Sequence, residues 1–248
     1  MRQTAVQFET NRLQFEGVVA QPDDMAGPVP GVVICHPGPL NGGNMDNNVV
    51  VAVSVALVEK GFTTLRFNYR GVGNSQGQHS KGELEHQEAQ GAIEFLGKWP
   101  GVDENRLGLA GYSFGTGVIL GNADLQKKAR AYALISPSIA RLEGTPLRSN
   151  ERPKLVISGE QDRLIQSPQL QPVLESFAQP FCCEFIPGAD HYWLGREDEM
   201  AGRVSRFFSE YLALAGLGLG TTKTAEAPIV RSCRPSWACS FTPSPCWR

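Results

Sequence analysis

The sequence predicts an α/β domain with a mostly parallel sheet over residues 1–215. Short strand-like runs alternate with segments of helical periodicity, which is the pattern of parallel strands joined by crossover helices. Five of these runs lie at residues 31–35, 62–67, 107–110, 131–136 and 154–159. A Gly-x-Ser-x-Gly motif follows the third run, where a strand would turn into a helix. Hydrophobic residues make up 41% of the 248 positions, enough for a sizeable core.

The remaining elements follow from local patterns. Alternation at 4–10 and 13–20 predicts an opening antiparallel hairpin, and 181–186 predicts a last strand. Helical periodicity is predicted over residues 49–57, 83–99, 168–178 and 197–214, with a further helix directly after the serine motif. Only residues 137–152 separate the predicted strands at 131–136 and 154–159, so we expect no large cap domain and an open site.

Charge and composition exclude several classes of function. A net charge of −2 offers no electrostatic basis for binding nucleic acid or an anionic membrane. No apolar run approaches the length of a membrane span, and the N-terminus has no signal-type block, so we expect a cytoplasmic protein. The segment 71–77 lacks the third glycine of a dinucleotide loop, because position 76 is Gln. We therefore expect no cofactor, and the expected partner is a small molecule, with a homodimer left open.

The chain has six cysteines, three of them in its C-terminal segment. Cys35, Cys182 and Cys183 are not spaced as zinc ligands, and we expect buried thiols. Residues 216–248 are rich in Pro, Ser and Thr without periodicity, which predicts a poorly ordered extension. Its three cysteines, at positions 233, 239 and 246, leave a disulfide between chains or a metal site open, although no Cys-x-x-Cys pair supports the metal.

Ser113 is the candidate nucleophile. It stands in the segment 107–117, which reads LGLAGYSFGTG. A serine at a tight strand-to-helix turn needs small neighbours, and Gly111 and Gly115 provide them. Such a turn lifts the hydroxyl clear of the sheet. A serine hydroxyl is a weak nucleophile at neutral pH, however, and it needs a base and an acid that orients the base.

The chain offers four histidines as the base. His86 falls in a predicted helix among charged residues, and His79 falls in a polar loop, so both are expected at the surface. His36 ends a buried strand and is a candidate for orienting the loop beside the site. His191 follows the last strand, at the sheet edge where Ser113 also lies, and is the predicted base.

The acid is expected at the same edge, between the serine and the histidine in the chain. Asp162 follows the strand at 154–159 and is the predicted acid. Glu160, two residues nearer the strand, is the competing carboxylate. Asp190 is adjacent to His191 and is poorly placed to orient its neighbour's ring.

Two N–H donors are needed for the oxyanion that forms when the serine attacks a carbonyl. Phe114 supplies the first, directly after the serine. The second is expected from the loop after the strand at 31–35, in which Pro37 and Pro39 have no N–H. Gly38 and Leu40 remain, and Leu40 is the predicted donor.

Five segments, in this order, resemble the α/β-hydrolase superfamily, and within it the small, capless, dienelactone-hydrolase-like serine esterases. They are HPGPLNGGNMDNNVV, RFNYRGVGNSQG, GYSFG, GEQD and GADHYW. The resemblance covers about residues 4–214 and implies an eight-stranded, mostly parallel sheet and hydrolysis of small carboxylic esters. Related proteins often carry a second histidine where Gly38 stands. Dienelactone hydrolases use a cysteine nucleophile where this chain has Ser113, which argues against that substrate.

The expected function is therefore a carboxylesterase that acts through an acyl-enzyme and prefers short acyl chains. Apolar pocket contacts are expected from Leu40, Tyr112, Tyr192 and Trp193, although each could equally be ordinary packing. Two alternatives remain. One is an amide or peptide hydrolase resembling the serine aminopeptidases of this fold, and the other is a binding protein that lacks catalysis.

Overall fold

The computed structural model describes residues 1–164 and 167–213, so the predicted C-terminal extension lies outside the described residues. Eight strands form one sheet, in the order β1-β2-β4-β3-β5-β6-β7-β8. Their bounds are β1 Arg2–Thr10, β2 Leu13–Gln21, β3 Val29–Cys35, β4 Thr63–Phe67, β5 Val102–Tyr112, β6 Ala131–Ile135, β7 Lys154–Gly159 and β8 Phe181–Ile186. The hairpin β1–β2 joins β4 in antiparallel fashion, and every pairing from β4 to β8 is parallel. The predicted eight-stranded, mostly parallel sheet is confirmed.

Helices cover both faces of this sheet, as parallel strands require. Their bounds are α1 Asn48–Glu59, α2 His86–Gly97, α3 Phe114–Leu120, α4 Ala123–Lys128, α5 Ile139–Glu143, α6 Ser167–Leu174 and α7 Glu197–Phe208. Helices α1 and α7 cover one face, and α2 to α6 contribute to the core on the other. Cys182 packs into the core beneath α1 and α7, and Cys183 packs into the core beneath α2 to α6, as alternation along β8 predicts. None of the helices in the described ranges is long and apolar enough to cross a membrane.

The helix boundaries differ from the sequence expectation at three places. Helix α2 begins at His86 rather than at residue 83, because the carboxylate of Glu85 turns back to accept hydrogen bonds from the Ser80 and Gly82 N–H groups. The helix expected at 168–178 ends at Leu174. The helix expected at 197–214 is α-helical to Phe208 and continues as a π-helical turn over Ser209–Ala213.

The connection at 137–152 contains only α5 and a 3-10 turn, Pro146–Ser149. The expectation that no large cap domain is inserted here is confirmed. The carboxyl ends of β5, β6, β7 and β8 are consequently left free to form a site, since loops at this edge collect the functional groups of open parallel sheets.

His36 joins the ends of β3 and β4 inside the protein. Its side chain is fully buried, with Nδ1–H donating to the Pro37 carbonyl at 2.7 Å. Its Nε2 accepts the backbone N–H of Tyr69 at 3.2 Å, so the ring is held as a neutral imidazole. A proton on Nε2 would face that N–H, and burial lowers the pKa of His36 to about 4.

We predict that His36 weakens the fold at acid pH. In the unfolded chain this histidine binds a proton with its ordinary pKa of 6.5, whereas in the folded chain its pKa is about 4. The free energy of unfolding should therefore fall as the pH drops through that window, by up to about 3 kcal/mol at about 1.4 kcal/mol for each pKa unit. Urea titrations between pH 7 and pH 4 measure it.

A difference between variants isolates this contribution from that of Glu88. Burial raises the pKa of Glu88 to about 7, which makes stability fall as the pH rises from its ordinary value of 4.5. His36→Gln should be less stable than the wild type at pH 7 but should lose less stability on acidification. His86→Gln on α2 is the control and should follow the wild type. Parallel pH curves for wild type and His36→Gln would contradict the assignment.

Phe208 joins α7 to the strand that carries the serine. Its ring is fully buried and lies flush on β5, where a Cβ at Gly108 would come within 2.6 Å of it. We predict that Phe208→Ala lowers the free energy of unfolding by about 3–5 kcal/mol, because it removes a buried ring and leaves a cavity. Arg206→Ala, exposed on the same helix, should change it by less than about 0.5 kcal/mol. Chemical denaturation of both variants at pH 7 measures the difference, and equal losses would mean that this ring does not anchor α7.

Candidate active site

Ser113 occupies a strained turn between β5 and α3. Its φ of 51° and ψ of −111° lie outside the regions that residues other than glycine prefer. Gly115 makes this turn possible, because a Cβ there would lie 2.3 Å from the Cys35 carbonyl oxygen at the end of β3. Two backbone segments meet at this point with no room for a side chain. The serine hydroxyl is thereby raised at the carboxyl edge of the sheet.

The structure brings the three predicted triad residues together. His191 Nε2 lies 3.0 Å from Ser113 Oγ, and His191 Nδ1 lies 2.7 Å from Asp162 Oδ2. The chain positions are far apart, and the carboxyl ends of β5, β7 and β8 collect them. Asp162 is nearly fully buried, whereas its competitor Glu160 is exposed. This geometry is that of a nucleophile, a base and the acid that orients the base.

Backbone contact between two loops fixes the acid against the base. A Cβ at Gly159 would lie 2.2 Å from the Ala189 carbonyl oxygen, so β7 and the loop after β8 run in direct contact. The Gln161 N–H donates to that same carbonyl at 2.9 Å. Asp162 and His191 follow this contact on either side, and their distance is set by the backbone rather than by flexible side chains.

Tyr112 holds the backbone of the loop that carries the predicted base, His191. Its hydroxyl donates to the His191 carbonyl oxygen at 2.7 Å. Burial, and next the charge of Asp162, raises the pKa of this phenol well above its ordinary value, so the hydroxyl stays protonated and remains a donor. Asp190 holds the following turn, with one carboxylate oxygen accepting the N–H groups of Tyr192 and Trp193.

The region expected to hold the oxyanion lies where α3 meets the loop after β3. The Phe114 N–H opens α3 and is one of the four that a helix leaves without an intrahelical acceptor. Gly38 lies beside it, since a Cβ at Gly38 would come 3.7 Å from the Phe114 Cβ. Leu40 sits in a short 3-10 turn with its side chain 73% exposed. Gly38 and Leu40 therefore both remain candidates for the second donor.

A cavity of about 290 Å³ opens directly at the serine and the histidine. Its walls come from the loop after β4, from α3, and from the segments after β6 and β7. The residues that line it are Gly82, Ser113, Phe114, Gly117, Val118, Ser136, Ser138, Arg141, Leu164 and His191. The described residues contain no cluster of three or more His, Cys, Asp or Glu side chains that could hold a metal ion.

The predicted pocket contacts need correction. Tyr112 and Trp193 do not line the cavity. Both are buried, and the Trp193 indole N–H donates to the Ser136 hydroxyl at 3.2 Å. Tyr192 is 63% exposed and Leu40 lies on the surface turn, so neither lines this cavity either. An aromatic residue that follows the predicted base in the sequence can face inward or outward, and only the backbone direction decides between the two.

Sequence reasoning missed Arg141, Val118, Ser138 and Leu164 as cavity residues. Val118 was predictable, because it stands one helical turn after the motif. Arg141 and Ser138 belong to the segment 137–152, which has no periodicity that points to a site. Their place depends on how that segment folds over α3.

Comparison with known proteins agrees with this fold. An uncharacterized protein of Rickettsia prowazekii is 26% identical over 203 residues, covering 78% of this chain and 84% of that protein. An α/β serine hydrolase homologue from Coxiella burnetii is 28% identical with a TM-score of 0.73, covering 83% of this chain and 97% of that one. A lidless α/β serine hydrolase from Xanthomonas campestris is 27% identical with a TM-score of 0.73, covering 86% and 96%. A model of the dienelactone hydrolase family matches residues 15–211, and the chain therefore belongs to this family of α/β hydrolases.

Proposed function

We propose that this hydrolase is a serine carboxylesterase that cleaves small esters through an acyl-enzyme. The observation that carries the proposal is the hydrogen-bonded chain from Ser113 through His191 to Asp162, opening into a cavity of about 290 Å³. Such a chain activates a hydroxyl for attack on a carbonyl. The lack of a cap between β6 and β7 supports small substrates, because no described residue forms a lid that would bury a long acyl chain.

In the first step, Ser113 Oγ attacks the ester carbonyl while His191 Nε2 takes the hydroxyl proton. Asp162 stabilises the imidazolium and keeps Nδ1–H pointed at its carboxylate. The oxyanion accepts the Phe114 N–H and the N–H of Gly38 or Leu40. Collapse breaks the bond to the alcohol oxygen, which leaves with the proton from His191, and the acyl group stays on Ser113.

In the second step, a water molecule attacks the acyl-enzyme. His191 accepts one proton from this water and then returns it to Ser113 Oγ as the acyl bond breaks. The carboxylic acid leaves and the free enzyme is restored. No cofactor takes part in either step.

A carboxylesterase is favoured over an amine-recognising amide hydrolase. An aminopeptidase needs an anionic group to hold the substrate's ammonium. The residues lining the cavity in the described part of the chain include no carboxylate, and Arg141 would repel an amine.

We predict strong hydrolysis of p-nitrophenyl acetate and butyrate, weaker hydrolysis of the octanoate, and little of the palmitate. Ser113→Ala should lower kcat by roughly 10³-fold or more, because the acyl-enzyme no longer forms. Release of p-nitrophenol measures turnover, and labelling by a serine-directed phosphonate with mass spectrometry locates the nucleophile. Activity that survives Ser113→Ala, or a palmitate rate above that of the butyrate, would overturn the respective part of the proposal.

We predict that substitutions at Asp162 and at Glu160 have very different effects on kcat. Asp162→Asn should lower kcat by roughly 10³- to 10⁴-fold, because an amide in this position favours the wrong histidine tautomer. Glu160→Gln removes a neighbouring exposed carboxylate and should leave kcat within about twofold. Steady-state kinetics on p-nitrophenyl butyrate compare them, with circular dichroism to check folding. Equal losses would mean that local charge, rather than the hydrogen bond to His191, is what matters.

A further inference from the structure

We propose that Arg141 makes this site selective for esters that carry a carboxylate as a second functional group. The inference rests on the proposed esterase function and names the substrate class for that site. Arg141 stands on α5, in the segment between β6 and β7 that sequence patterns left without a role. It lines the cavity that opens at Ser113 and His191.

Arg141 contributes a positive charge to the cavity. Among the described residues that line the cavity, the only other ionisable side chain is the histidine His191, and the rest are glycine, serine and apolar residues. The guanidinium makes no hydrogen bond or ion pair within residues 1–164 and 167–213. The eleven ion pairs in these ranges, which include the pair between His191 and Asp162, all involve other residues. An arginine beside a nucleophile, with its donors unused, is available to a ligand.

The backbone around Arg141 forms a niche for its side chain. A Cβ at Gly117 would lie 3.6 Å from the arginine Nε, and a Cβ at Gly121 would lie 3.7 Å from one terminal nitrogen. These two glycines are four residues apart, so they share one face of α3 and its C-terminus. The arginine lies along that face at van der Waals distance from where their side chains would be.

The opposite wall of the niche is Gly82, in the loop before α2. A Cβ at Gly82 would lie 3.5 Å from the other terminal nitrogen of Arg141. Buried Glu85 fixes this wall, since one of its carboxylate oxygens accepts the Gly82 N–H at 2.8 Å. The same oxygen accepts the Ser80 hydroxyl at 2.6 Å, so Glu85 is engaged with its own loop. The guanidinium therefore lies between α3 and this loop, while the Arg141 side chain as a whole stays exposed to solvent.

A carboxylate is the ligand that fits this arrangement. The planar guanidinium presents paired N–H donors that match the two oxygens of a carboxylate, and it remains charged at any physiological pH. A neutral ester would leave those donors to water. An ester with a second, anionic end places its carbonyl at Ser113 and its carboxylate at Arg141 within one small cavity.

Matched pairs of esters test the proposal. On the acyl side, the monomethyl esters of succinic, glutaric and adipic acids are compared with methyl esters of the corresponding ω-carbamoyl acids. On the alcohol side, 4-acetoxybutyrate is compared with 4-acetoxybutyramide. Each pair differs only in carboxylate against neutral amide, and acid release in a pH-stat gives kcat/KM for both. The series with the larger ratio identifies the side of the scissile bond that faces Arg141.

In the wild type, we expect the carboxylate to be preferred in at least one series, and more salt to reduce this preference through screening. Arg141→Gln should reduce the kcat/KM ratio about fivefold or more, and Arg141→Lys, which keeps the charge without the paired donors, should lie between them. Arg206→Gln, which removes an exposed arginine from α7, is the matched control and should leave the ratio unchanged. A ratio that Arg141→Gln does not alter in either series overturns the proposal.

A binding measurement separates this proposal from the esterase function. Calorimetry on Ser113→Ala should detect monomethyl glutarate or 4-acetoxybutyrate, and Arg141→Gln in the same background should weaken that binding about fivefold or more. If no ester is hydrolysed by the wild type, the esterase function fails, and the calorimetry still decides the role of Arg141. Equal binding with and without the guanidinium would mean that Arg141 is an ordinary surface residue.

Discussion

The site depends on two places where backbone meets backbone without a side chain between them. At the first, Gly115 lies against the Cys35 carbonyl, and at the second, Gly159 lies against the Ala189 carbonyl, with room for a hydrogen atom but not for a methyl group. The first contact sets the serine turn beside the loop after β3. The second sets Asp162 beside His191. Side-chain flexibility is thereby removed from the distances that matter for proton transfer, which tolerate errors of only a fraction of an ångström.

These contacts explain why the surrounding polar groups are buried and paired. His36 ties the loop after β3 to the start of the loop after β4, and Tyr112 ties the loop of the base to the strand of the nucleophile. Each of these side chains loses its hydration on burial, and each is compensated by a backbone partner. The His36 imidazole is held neutral and the Tyr112 phenol protonated, so neither group competes with His191 for the proton that moves in the proposed reaction.

Glycine residues also shape the cavity. Gly117 weakens α3, since glycine is a poor helix former, and a seven-residue helix gains little cooperativity to offset this. Packing against the sheet holds the helix in place, and the bare face makes room for Arg141. A lidless fold has few surfaces with which to recognise a substrate. The short segment after β6 is one of them, and it carries the charge that we propose selects the ester.

The sequence by itself determined the strands of the parallel sheet, because strands buried on both faces appear as continuous apolar runs. It also determined the serine turn between a strand and a helix, because flanking glycines mark that turn. It also indicated Asp162 and His191, since both follow predicted strands whose carboxyl ends share one edge. Only the tertiary structure decided what lies around them. Trp193 turned inward to Ser136, and Arg141 came over α3 from a segment without periodicity. The physical reason is that pocket walls form from loops packed across long chain separations, and such packing leaves no local signature in the sequence.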